Sequence, residues 1–157
     1  MGRLSKVSDR KVGDKVFVKK EITSSDILTT VIDLTGPVNG GDLLLVRVVL
    51  ATDSTGLAGG TNIEITASGE TYGLATPIIE TVANLGASAL RVAPHSATAA
   101  DTTNDNHMTV TAGLPFVLQN GDKLQINSTS AACTGAGKLL VLLEFERITA
   151  QADIAPA

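Results

Sequence analysis

Residues 138–148 read KLLVLLEFERI, and this run decides the fold class. Every second residue is apolar: Leu139, Val141, Leu143 and Phe145 share one parity. A period of two is the signature of a strand, because successive side chains leave a strand on opposite faces. The other parity begins Leu140, Leu142 and then turns acidic at Glu144 and Glu146. This strand therefore carries more apolar surface than one buried face needs.

Working outward, Leu43–Leu50 repeats the theme. Its even positions are Leu44, Val46, Val48 and Leu50, and its odd positions are Leu43, Leu45, Arg47 and Val49. Met108–Leu118 alternates through Met108, Val110, Ala112, Leu114, Phe116 and Leu118. Gln119-Asn120-Gly121-Asp122 then forms a hairpin signal, since Asn-Gly reaches positive φ at little cost. Lys123–Ser128 follows with Leu124 and Ile126 inward. Shorter strands are expected at Lys15–Lys20 (Val16 and Val18 inward), Asp26–Thr35 (Leu28, Ile32, Leu34), Asn62–Ala67 (Ile63, Ile65) and Thr71–Ala75. Pro77–Val92 reads equally as a short helix over Ile78–Leu85 or as two strands, Pro77–Val82 and Ser88–Val92. The pattern predicts an all-β chain: an antiparallel β-sandwich or jelly-roll-like domain of about eight or nine short strands. Long amphipathic helices between strands are missing, which argues against a parallel α/β sheet.

The 157 residues suit one domain. The predicted division is a basic N-terminal arm over 1–20, joining a strand from 15, a sandwich over 21–149 and a loose tail over 150–157. Only 3% of residues are aromatic, so the core is expected to consist of Val, Leu, Ile and Ala. The single cysteine, Cys133, forms no internal disulfide and no cysteine-based zinc cluster. MGRLSKVSDRKVGDK lacks an apolar stretch, and no run approaches 18 apolar residues. Neither a secretory leader nor a membrane-spanning helix is expected.

Charge is divided unevenly. Residues 1–20 hold seven basic groups (Arg3, Lys6, Arg10, Lys11, Lys15, Lys19, Lys20) and two acidic ones, a net +5. The other 137 residues hold five basic and fourteen acidic groups, a net −9. A basic arm on an acidic body suggests an electrostatic contact for the arm; its plain alternative is a solvated tail.

Each candidate for chemistry fails at a named position. Gly135-Ala136-Gly137-Lys138 has Ala132 and Leu139 where a phosphate loop needs Gly and Ser/Thr, and it leads into a strand. Asp101–His107 is rich in oxygen donors, yet an EF-hand reading puts Asn106 at its glycine and Ala112 at its final glutamate. His95 and His107 lack a nucleophile elbow, and Cys133 has no histidine near it in sequence. Asn127-Ser128-Thr129 is a sequon, taken as chance without a leader. No catalytic residue, cofactor or metal is expected. An acidic body with few stacking aromatics also argues against nucleic acid.

The polar N-terminal arm, Ile32-Asp33-Leu34-Thr35-Gly36-Pro37 leading into Leu43–Leu50, the Gly/Thr/Ala-rich loops and the final apolar strand together resemble capsid decoration (cement) proteins of tailed bacteriophages. The resemblance is of overall character and covers most of the chain. It implies a β-rich homo-oligomer, often a trimer. Such a protein is made in the host cytoplasm and seated on the outer capsid surface, where major capsid protein subunits meet. It also implies an arm that grips the lattice. The second apolar face, covered either by the chain's own loops or the Pro77–Leu85 segment or by a neighbouring subunit, supplies in the latter case the expected oligomer interface, with Leu43, Leu45, Val49, Leu140 and Leu142. A glycan- or host-surface-binding head fibre, tail or adhesin module is the alternative, and a hydrolase of unrecognised type the third class.

Overall fold

In the computed structural model, the described residues are 9–69, 71, 73–81, 84–94, 108–110 and 114–157. They form ten strands: β1 (Lys15–Thr23), β2 (Ile32–Asp33), β3 (Leu43–Thr52), β4 (Ile63–Gly69), β5 (Gly73–Thr81), β6 (Leu90–Ala93), β7 (Met108–Val110), β8 (Phe116–Leu118), β9 (Lys123–Ser128) and β10 (Lys138–Arg147). The first sheet runs β1-β10-β3-β6, with β8 pairing the opening half of β3. The second runs β2-β9-β4-β5-β7. All pairings are antiparallel. The inner faces share one buried core. Phe145, Leu43, Leu45 and Leu50 from one sheet and Ile63, Ile65, Leu124 and Ile126 from the other are each at most 1% exposed. The all-β sandwich expectation holds.

β10 sits at the centre of the first sheet, paired with β1 along its whole length and with β3 on the other side. Its burial alternates as the sequence predicts, with Leu139, Val141, Leu143 and Phe145 inward. β3 departs from simple alternation. Arg47 pairs with Glu144 and Leu45 with Phe145, which leaves Val46 as an extra residue. Such a bulge reverses the parity of everything beyond it. Leu43 and Leu45 therefore point inward together with Val48 and Leu50. The expectation that Leu43 and Leu45 lie on the outer face is corrected: both are fully buried core residues.

Pro77–Val92 resolves into the two-strand alternative, with β5 ending at Thr81 and β6 starting at Leu90. Met108–Leu118 is not one strand. β7 pairs with β5 in the second sheet, while β8 pairs with β3 in the first. Asp26–Thr35 is strand only at β2; a single 3-10 turn covers Ser24–Asp26, and Leu28 is exposed.

The C-terminal residues are not loose. Ala152 and Ile154 are buried, and Asp153 and Pro156 form β-bridges with Asn39 and Thr35. Arg147 Nε donates to the Ala152 carbonyl at 2.8 Å. Two apolar side chains spaced by one residue, with the backbone between them paired, hold this segment along residues 34–39. The basic arm is likewise docked from residue 10 onward. Arg10 pairs with Asp153 at 2.8 Å, and Gly13 N–H donates to the Arg147 carbonyl.

Candidate functional site

The outer face of the first sheet is the feature that packing leaves unexplained. Its residues form cross-strand rows from β1 through β10 to β3 and beyond. One row is Lys19, Leu142, Val49, Val92. The next is Phe17, Glu144, Arg47. A third is Glu21, Leu140, Ala51, Leu90, and a fourth is Lys15, Glu146, Leu44, Val117. Apolar side chains hold the Leu142 and Leu140 rows from β10 to β6, and charges of both signs lie along β1 and on β10 and β3 at Glu144, Glu146 and Arg47.

Phe17 is the extreme case at 71% exposure. Leu142, Leu90 and Val117 are also exposed. A shallow groove of about 330 Å³ opens among Phe17, Lys19, Arg47, Val49, Leu142 and Glu144. Large apolar side chains gathered on one exposed face, rimmed by charge, are the usual mark of an interaction surface. Alternation explains how Phe17 comes to be there: Val16 and Val18 are drawn inward, which turns Phe17 out. That alternation was readable in the sequence, yet it did not single out Phe17.

Of the residues expected at an oligomer interface, Val49, Leu140 and Leu142 lie on this outer face, while Leu43 and Leu45 do not. Of the arm residues, Arg3 and Lys6 lie outside the described residues. Arg10 is held by Asp153. Lys11 is exposed, and its backbone N–H donates to the Asp14 carboxylate at 2.8 Å. Lys15 bridges Glu144 at 3.1 Å and Glu146 at 3.5 Å, and its ammonium is held above the usual lysine range, chiefly by the hydrogen bond to Glu144. Lys20 caps the carbonyls of Asp33 and Ala157. Lys19 faces the groove. The described half of the arm thus belongs to the sandwich rather than projecting from it.

Of the positions considered for chemistry, Cys133, Asn127 and 135–138 lie among the described residues. Cys133 is buried, and burial pushes its thiol up, against a smaller opposing hydrogen bond from Ser128. That is the reverse of a nucleophilic cysteine. His95, His107 and the Asp101–His107 loop lie outside the described residues. Asn127 is 7% exposed and sits within β9, where a sequon is shielded. Among the described residues, no trio of His, Cys, Asp and Glu is placed to hold a metal, and no helix is long and apolar enough to cross a membrane.

No protein family and no curated protein matches the sequence. Among solved structures, overlaps occur with infectious bursal disease virus particles. One is the Gx strain (14% identity, TM-score 0.26, 90% of this chain and 39% of that one). Another is the VP2 subviral particle (14% identity, TM-score 0.23, 88% and 39%). The chain spans about two fifths of the length of these chains. Overlap at this level does not establish a common fold.

Proposed function

We propose that this chain is a structural, non-catalytic component of a virus particle. In this reading it assembles with copies of itself through the outer face of the first sheet, and decorates a capsid where major capsid subunits meet. The observation that carries the self-assembly is Phe17, an aromatic side chain left 71% exposed beside an apolar groove on its own sheet. Aromatic anchors that enter a facing pocket supply much of the energy of interfaces.

A second copy is the occupant that this face fits. Lys15, Lys19 and Arg47 alternate with Glu21, Glu144 and Glu146 across β1, β10 and β3. Arg47 forms no ion pair among the described residues. A face carrying both signs is complementary to another of its kind, and closed homo-oligomers are the commonest way to cover such a surface. The trimer number and the capsid as partner rest on the sequence's character. Arg3 and Lys6, which precede the described residues, then supply weak contacts that add up over several copies.

Because Lys15–Lys20 form part of β1, removing residues 1–20 would delete a sheet strand. Removing residues 1–8 leaves every described element in place. Co-sedimentation with capsids is expected to be lost in that truncation, with an unchanged melting curve. Undiminished co-sedimentation would refute the role of the arm, and binding to a glycan array without capsid binding would favour the adhesin reading.

A further inference from the structure

The opposite side of the sandwich carries a different irregularity. On β4, Ile63, Ile65 and Ala67 point into the core, so Glu64, Thr66 and Ser68 point outward. The register places Glu80 of β5 and Asn127 of β9 on either side of Glu64. Two carboxylates opposite each other across adjacent strands repel.

Among the described residues, this part of the face is also poor in donors. Asn62 Nδ2 donates to Glu80 Oε1 at 2.9 Å. Neither Glu64 nor Glu80 forms an ion pair among the described residues. Lys123, two positions along the same face, is already taken by Asp33 at 2.8 Å.

The independent observation is a pair of orphaned atoms. Asn127 is 7% and Thr66 1% exposed, and Asn127 Oδ1 and Thr66 Oγ1 are buried with no hydrogen-bond partner among the described residues. A buried acceptor without a donor is rare and costly. Asn127 lies directly opposite Glu64, and Thr66 is the next outward residue along β4. Two carboxylates, an amide oxygen and a hydroxyl oxygen thus share one patch, and each can offer a lone pair to a cation. The Glu64 carboxyl is pushed above the usual range by burial and by Glu80.

We propose that Glu64, Glu80 and Asn127, with Thr66 beside them, form a binding site for a hard divalent cation of calcium type on the outer face of the second sheet. Calcium accepts irregular sets of carboxylate and amide oxygens and completes its shell with water, whereas magnesium demands a near-octahedral arrangement. A site with two charged ligands on a pleated surface suits the former. The assignment stands independently of the self-assembly face on the other sheet.

The test is a thermal melt of the full chain, stripped with a chelator and then titrated with calcium chloride, with magnesium chloride and sodium chloride at matched ionic strength as controls. For a site in the range of about 10⁻⁴–10⁻³ M, 5 mM calcium should raise Tm by about 2–9 °C. Glu64→Gln and Glu80→Gln should each abolish that rise. Their metal-free Tm should equal or exceed that of the parent, because one of two facing charges is gone. Three results would overturn the proposal: no calcium response, a response that survives the double variant, or a Tm that rises on acidification toward pH 5 with no response to calcium. The last would show a proton shared by Glu64 where the cation is placed.

Discussion

Replacing Leu45 and Leu142 by alanine, one at a time, separates the bulged register of β3 from the unbroken alternation that its sequence suggests. Leu45 is fully buried opposite Phe145, whereas Leu142 is 38% exposed opposite Val49. Truncating a fully buried leucine costs about 2–5 kcal/mol, the transfer term plus the cavity it leaves. For a chain of this size that is a fall in Tm on the order of 10 °C. Leu142→Ala in an isolated chain removes a side chain already partly in water, and should cost under about 1 kcal/mol. Urea unfolding at several protein concentrations is the assay. The Leu45→Ala loss should not depend on concentration. Any larger loss from Leu142→Ala should grow with concentration, because it would come from association rather than from the fold. A Leu45→Ala midpoint within about 0.5 kcal/mol of the parent would refute the bulge and restore Leu45 to the outer face.

Three further outcomes follow from packing and charge. Deleting residues 152–157 should lower Tm by several degrees, because burial of Ile154 alone is worth about 1.5–3 kcal/mol and backbone pairing with Asn39 is lost as well; an unchanged Tm would mean the segment does not dock. Native Cys133 should react with iodoacetamide at pH 8 far more slowly than in urea, since burial raises its thiol; equal rates would contradict its burial. Asp53 is held below the usual carboxylate range, first by the Gly56 N–H and then by those of Thr55 and Lys138. Its contribution is therefore full above the unfolded carboxylate pKa of about 4 and disappears as pH falls through the depressed value. The gap in urea midpoint between the parent and Asp53→Asn should shrink from pH 6 to pH 2, and a gap of constant size would contradict the bonding.

β10 is legible from its sequence, because Glu144 and Glu146 mark one parity as the outer one even though Leu140 and Leu142 share it. β9 is legible for a similar reason, but the hairpin expected at Asn120-Gly121 is corrected: β8 pairs with β3 in the first sheet and β9 with β2 and β4 in the second, so this turn carries the chain from one sheet to the other. β3 is not legible. Its apolar residues occupy both parities, so nothing in the sequence marks Val46 as the residue to bulge, and the sequence alone leaves Leu43 and Leu45 on the outer side. The docking of the C-terminal segment is not legible in the sequence, because two small or isolated apolar residues, Ala152 and Ile154, carry little periodic signal. Their order comes from pairing with residues more than a hundred positions away. The arm was legible as charge but not as structure: Lys15 and Lys20 look like free cations, yet cross-strand partners and backbone carbonyls hold them. The outer apolar face was legible in outline from Leu140 and Leu142. Phe17, its most exposed member, was not, since a lone aromatic between lysines gives no periodic cue. The unpaired oxygens of Thr66 and Asn127 belong to tertiary burial alone.

The central claim, that the outer face of the first sheet joins copies of this chain, is tested most directly by the mass in solution. Light scattering behind size-exclusion chromatography should give a closed oligomer for the parent chain. It should give the single-chain mass of 16.1 kDa for Phe17→Glu, with the same circular dichroism. A parent chain that stays at 16.1 kDa at the highest soluble concentration, or a Phe17→Glu variant that keeps the parent's mass, would contradict the account.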